Sequence, residues 1–134
     1  MATQIFVNLP VKDPNKAIAF FTRLGFAFNP QFTDGNATYI IVGKDKFVMF
    51  LVEKFFKTFT SKAICDNAKD AEAIVALSAE SREKVDRMIS KVIEAGGKKS
   101  RKPRDYGWMY GRGFQDIDGH CGKYFTWTKV QRKE

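Results

Sequence analysis

The chain is poor in the residues that most often carry chemistry. One histidine, His120, and two cysteines, Cys65 and Cys121, stand among 134 residues. No imidazole cluster or close cysteine pair therefore marks a zinc site. No run of about 18 apolar residues occurs, which argues against a membrane-crossing helix and a membrane partner. The opening MATQIFVNLPVKD lacks the basic stretch and apolar core of a secretory signal, so Cys65 and Cys121 read as reduced thiols of a cytoplasmic protein. Acidic residues are in deficit: 15 against 23 Lys and Arg, a net charge of +8. From Gly97 onward ten bases face four acids. That field suits an anionic ligand or non-specific contact with nucleic acid, but no nucleic-acid motif accompanies it and no specific nucleic-acid partner is expected. What the chain has in quantity is apolar surface, at 44% hydrophobic and 14% aromatic residues, enough for one domain with a real core.

The pattern repeats. Gln4 to Val11 alternates, with Ile5, Val7, Leu9 and Val11 on one side and Phe6, Asn8 and Pro10 on the other, as in a strand under a helix. Asp13-Pro14 starts a helix carrying Ala17, Ile18, Phe20, Phe21 and Leu24, and Gly25 stops it. Strands follow at Phe26–Thr33, Ala37–Val42 and Lys46–Val52. Residues 54–71 read as a connection with a short helix or irregular turn bearing Phe55, Phe56 and Phe59. Then come a strand over Ala73–Ala79, a Ser81-capped helix with Val85, Met88, Ile89 and Val92 on one face, a stop at Gly96-Gly97 and a short strand over Lys98–Lys102. A hairpin over Trp108–Lys129 turns at Asp118-Gly119. Val7, Leu9 and Val11 correspond to Val75, Leu77 and Ala79, an internal duplication. The expectation is one α+β domain over 1–134 with two βαβββ modules, 1–53 and 72–130.

These residues resemble a known family. FVNLPVKDPNKAIAFFTRLGF is similar to the opening strand, Asp-Pro cap, aromatic helix and Leu-Gly stop of the vicinal-oxygen-chelate superfamily, the glyoxalase, bleomycin-resistance and extradiol-dioxygenase group. FQDIDGHCGKYF resembles its closing Asp-x-Asp-Gly-x turn and last strand. The resemblance implies a curled mixed sheet around a cleft, with the helices outside. It also implies a homodimer.

In metal-dependent relatives up to four His, Glu or Gln ligands line that cleft. The resemblance carries those positions onto Phe6, Ile74, about Phe50 and Lys123. Phe and Ile offer no donor atom and a protonated Lys repels a cation, so no metal and no cofactor is expected. His120, opposite in parity to Lys123, is expected to face out of the cleft, as a surface or hydrogen-bonded residue. By strand parity the cleft would take Phe6 and Asn8; Val48, Phe50 and Val52; Ile74, Ala76 and Ser78; and Cys121, Lys123, Phe125 and Trp127. Trp108, Tyr110 and Arg112 would stand at its mouth. The candidate ligand-binding set is thus Phe6, Asn8, Phe50, Ile74, Ser78, Trp108, Tyr110, Arg112, Lys123 and Phe125, with no catalytic residue assigned.

Three classes of function follow. The first is a metal-free protein that binds or sequesters a small aromatic or anionic molecule. The second is a glyoxalase-type lyase or related enzyme working through non-standard metal ligands or through Lys123 as base or Schiff-base nucleophile. The third is a partner-binding module using the basic last third. Taken singly, each aromatic reads first as core, and Arg112 as one half of a surface ion pair with Asp116.

Overall fold

The computed structural model describes residues 3–30, 34–100 and 102–127. It divides into two compact units, Met1–Cys65 and Asp66–Glu134, with the boundary inside the expected connection.

In the first unit, strand β1 (Ile5–Val11) leads into helix α1 (Pro14–Arg23), then β2 (Ala27–Phe28), β3 (Ala37–Gly43) and β4 (Lys46–Val52). Asp13 caps α1 by accepting the Asn15 amide at 2.9 Å, Pro14 occupies the first turn, and Gly25 follows the helix at φ +102°. The sheet order is β1-β4-β3-β2, with β1 and β4 parallel and the other pairs antiparallel. One face packs on α1, where Leu9, Val11, Phe20, Phe21, Ile40, Val48 and Phe50 are buried. Phe50 is fully buried and its ring stacks on Phe21 of α1 at 5.0 Å. The short helix α2 (Glu53–Phe56) and a 3-10 turn (Lys57–Phe59) follow, as the connection was expected to contain.

The second unit repeats the order. Strand β5 (Ile74–Ser78) precedes helix α3 (Arg82–Glu94), the short strands β6 (Lys98–Lys99) and β7 (Arg104–Asp105), and then β8 (Met109–Gln115) and β9 (Cys121–Trp127). Ser81 caps α3 through the Lys84 amide, and Gly96 ends it at φ +104°. The order β5-β9-β8-β6 matches that of the first sheet, with β5 parallel to β9 and β7 added beside β8. Val85, Met88, Ile89 and Val92 of α3 are buried, with Phe114 and Tyr124 of the sheet. Gly122 allows this packing: a Cβ there would lie 2.5 Å from the Phe114 ring. The architecture is α+β, two mixed sheets built by two βαβββ modules, each with its helix on one face. Residues 31–33 of the expected second strand, Arg101 of the expected Lys98–Lys102 strand and residues 128–134 beyond β9 lie outside the described residues. No described helix is long and apolar enough to cross a membrane.

Candidate functional site

Each sheet has a second face, away from its helix, and strand register sets what it carries. In the first unit Phe6 pairs with Phe47, Asn8 with Met49 and Tyr39 with Met49 across the strands. Phe6 stacks on Phe47 at 4.6 Å, and Tyr39 meets both rings edge-on. Phe6 is 41% exposed and Asn8 is exposed as well. These two residues therefore share the open face, as parity predicts.

The β4 residues do not follow that expectation. Val48 and Phe50 belong to the α1 face, and Phe50 leaves the candidate set for the core. Lys46–Val52 is almost wholly apolar on both faces, so its composition carries no alternation to set the parity; pairing with β1 does. Phe47 and Met49 take the open face instead.

In the second unit the α3 face carries the even residues of β8 and β9. Tyr110 donates its hydroxyl to Asp86 of α3 at 2.6 Å, and Arg112 reaches the same carboxylate oxygen at 3.1 Å. Tyr110 and Arg112 are thus turned toward the helix, which corrects their placement at a cleft mouth. Arg112 pairs with Asp86 rather than Asp116. The Arg82 guanidinium lies 5.0 Å from the Tyr110 ring centre and also grips Asp105 through both carboxylate oxygens. The Tyr110 hydroxyl, with Arg112, holds the Asp86 carboxyl below its ordinary range, and Arg82, with the Gly107 amide, does the same for Asp105. Burial raises the Tyr110 phenol, and its bond to Asp86 adds to that.

The Tyr124 hydroxyl is buried on this side with no hydrogen-bond partner among the described residues, and burial drives its ionisation to higher pH. Tyr124→Phe is accordingly expected to leave stability unchanged or raise it by about 1 kcal/mol, since it removes a desolvated and unpaired group. Urea denaturation measures this, and a loss above about 1 kcal/mol would contradict the assignment.

His120 is buried rather than at the surface. It is 5% exposed, in a turn whose Asp116 carboxylate accepts the amides of His120 and Asp118, both at 2.9 Å. Asp116 itself is 6% exposed, and burial raises its carboxyl to about 6. The turn is held against residues 67–68. Gly119, at φ +86°, leaves no room for a Cβ, which would fall 2.7 Å from the Asn67 carbonyl oxygen.

The open face of the second sheet is different in character. It presents Ile74, Ala76 and Ser78 from β5, Cys121, Lys123, Phe125 and Trp127 from β9, and Met109, Gly111, Gly113 and Gln115 from β8. Tyr106, Trp108 and Trp127 form a nearly parallel stack, with centroid spacings of 5.7 and 5.5 Å. Phe125 meets Trp127 at 87°. Trp108 and Trp127 are each 43% exposed. The Lys123 ammonium is 5.9 Å from the Phe125 ring centre. Of the sequence-derived set this sheet brings together Ile74, Ser78, Trp108, Lys123 and Phe125. Tyr39, Phe47, Tyr106 and Gln115 were missed, because only register and loop geometry bring them to these faces.

The donor set does not fit a metal of the kind the family uses. Phe6 is in an aromatic stack, Ile74 is aliphatic, Phe50 is in the core and Lys123 is cationic. Gln115 and Cys121 are cross-strand partners, but two donors fall short of the three protein ligands of a catalytic zinc site. Among the described residues no group of three or more His, Cys, Asp or Glu is placed to hold one.

Comparison with known proteins bears on the same features. A family model described as Glyoxalase/Bleomycin resistance protein/Dioxygenase superfamily matches residues 4–121. The solved structure of a hypothetical protein from S. aureus is 30% identical, with a TM-score of 0.79 over 94% of this chain and 95% of that one. A glyoxalase/bleomycin resistance protein/dioxygenase family enzyme from Burkholderia phytofirmans is 14% identical, with a TM-score of 0.79 over 95% and 100% of the two chains. A genomically encoded fosfomycin resistance protein from Listeria monocytogenes is 17% identical, with a TM-score of 0.67 over 99% of each. At such identities these last two are like this chain in fold alone. No curated protein sequence matches. With a doubled βαβββ order and a family match over residues 4–121, the chain belongs to the glyoxalase/bleomycin resistance protein/dioxygenase superfamily.

Proposed function

We propose that this protein binds or sequesters a small aromatic or anionic molecule without a metal, as a cytoplasmic homodimer. The observation that carries the reading is the exposed pair Trp108 and Trp127, stacked at 5.5 Å on the face that also holds Phe125 and Lys123. Large aromatic surface left in water on one sheet face is the usual mark of a binding site. The same face offers Ser78, Gln115 and Lys123 as orienting polar groups. Lys123 suits the role of counter-ion better than that of base. Its cross-strand partners are Ala76 and Gly113, neither of which can exchange a proton with it.

A thermal-shift screen of aromatic and anionic small molecules tests the reading. A ligand at one hundred times its dissociation constant is expected to raise the melting temperature by about 5–10 °C. Lys123→Ala is expected to lose most of that shift for an anionic ligand. A screen in which no aromatic or anionic compound shifts the melting temperature contradicts it. Light scattering checks the dimer, and a monomer at high protein concentration removes that part.

A further inference from the structure

The register of the second sheet places the one carboxylate of its described strands, Asp105, toward α3, where Lys99 and Arg112 also lie. Toward α3 lie Asp105, whose partner is Arg82, and Tyr110 and Arg112, which hold Asp86. On the other face Lys123 stands on β9. Lys98 joins it through its pairing with Gln115, and Arg104 through its pairing with Gly111. None of the described strand residues on that face is Asp or Glu. Three cations therefore share a face with Phe125, Trp108 and Trp127, and no carboxylate of the described strands neutralises them there.

The spacing is as informative as the sign. Lys123, Phe125 and Trp127 follow one another at alternate positions of β9, about 7 Å apart along the strand. Phe125 and Trp127 meet at 87°, so their rings form a corner in which a flat ring stacks on one and touches the other by its edge. Gly111 and Gly113 put no side chain on this face. At Gly111 this leaves backbone beside Arg104, whereas over Gly113 the Ser100 hydroxyl fills the space, 2.5 Å from where a Cβ would lie. The Met109 methyl reaches within 3.9 Å of where a Gly111 side chain would begin, a flexible cover for that backbone.

We infer that the ligand of this face is a planar aromatic anion, its ring seated at the Phe125–Trp127 corner and its carboxylate or phosphate about one ring length away at Lys123, with Lys98 and Arg104 adding long-range attraction. The inference rests on the small-molecule reading above and sharpens it: a neutral or cationic ring of the same shape is discriminated against.

Calorimetric titration with 2-naphthoate, 2-naphthamide, 2-naphthylmethylammonium and acetate separates ring from charge. The expected result is naphthoate binding about tenfold or more tightly than the amide, with the ammonium compound weaker still and acetate below detection, in line with a charge-assisted contact. Lys123→Gln is expected to bring naphthoate and amide within about threefold of each other, and Lys98→Gln to weaken naphthoate by less. Added salt should weaken naphthoate and spare the amide. Near-ultraviolet circular dichroism confirms that each variant keeps its tryptophan stack. Equal binding of naphthoate and amide, or an unchanged ratio in Lys123→Gln, overturns the inference and leaves the small-molecule reading standing. Acetate binding as tightly as naphthoate overturns the aromatic half. Failure of all three ring compounds overturns the inference. If the thermal-shift screen fails as well, the broader reading falls with it.

Discussion

Phe50→Ala is expected to destabilise the protein by about 3–5 kcal/mol, the cost of deleting a fully enclosed aromatic ring and leaving a cavity. Phe50 has 0% exposure, stacks on Phe21 and lies under α1 with Leu9, its partner across the parallel β1–β4 pair. Phe6→Ala is the matched comparison. Phe6 is 41% exposed and rests on Phe47 from the open face, so its loss should cost only about 1 kcal/mol. Urea denaturation of the two variants reads the difference. A small loss for Phe50→Ala, or a loss no greater than that of Phe6→Ala, would mean that β4 turns its other face, with Phe47 and Met49, toward α1.

Stability should fall as pH rises from about 4 to about 6, and Asp116→Asn should abolish much of that slope. Burial raises the Asp116 carboxyl from 3.8 to about 6 in the folded protein, the neighbouring His120 working in the opposite direction. A carboxyl that is harder to ionise when folded contributes fully below the unfolded value, and its contribution is lost as pH rises through the folded one. A shift of this size corresponds to at most about 3 kcal/mol. Asn keeps an oxygen to accept the amides of Asp118 and His120 without the charge. Denaturant midpoints of the two proteins between pH 4 and 8 measure the effect. A parent protein whose stability climbs over that interval, or a variant with the parent's slope, would contradict it.

Most of the architecture can be read from local signals, because these signals agree with one another. Asp13-Pro14 and Ser81 start helices, Gly25 and Gly96 stop them, and both caps and both positive φ angles are present. The correspondence of Val7, Leu9 and Val11 with Val75, Leu77 and Ala79 anticipates that β1 and β5 occupy the same place in two sheets of like order. The site was less legible. β1 alternates Leu9 and Val11 with Asn8, so its parity is visible, whereas β4 is apolar on both faces and its parity comes only from pairing. Tyr110 and Arg112 were misplaced for another reason. The expected mouth of a cleft took no account of Asp86 on α3, which binds both side chains. The segregation of Lys98, Arg104 and Lys123 from Asp86 and Asp105 is likewise a property of pairing, which the net charge does not reveal.

The central claim is that a member of this superfamily has replaced its metal-binding positions by apolar and cationic side chains and uses the remaining surface for a small ligand. Calorimetric titration of dialysed protein with zinc, nickel, manganese and ferrous ions tests it most directly. The expected result is no heat above background for any of the four. Binding of one metal per chain at micromolar affinity or tighter would contradict the claim, and would return the lyase and dioxygenase chemistries of the family to first place.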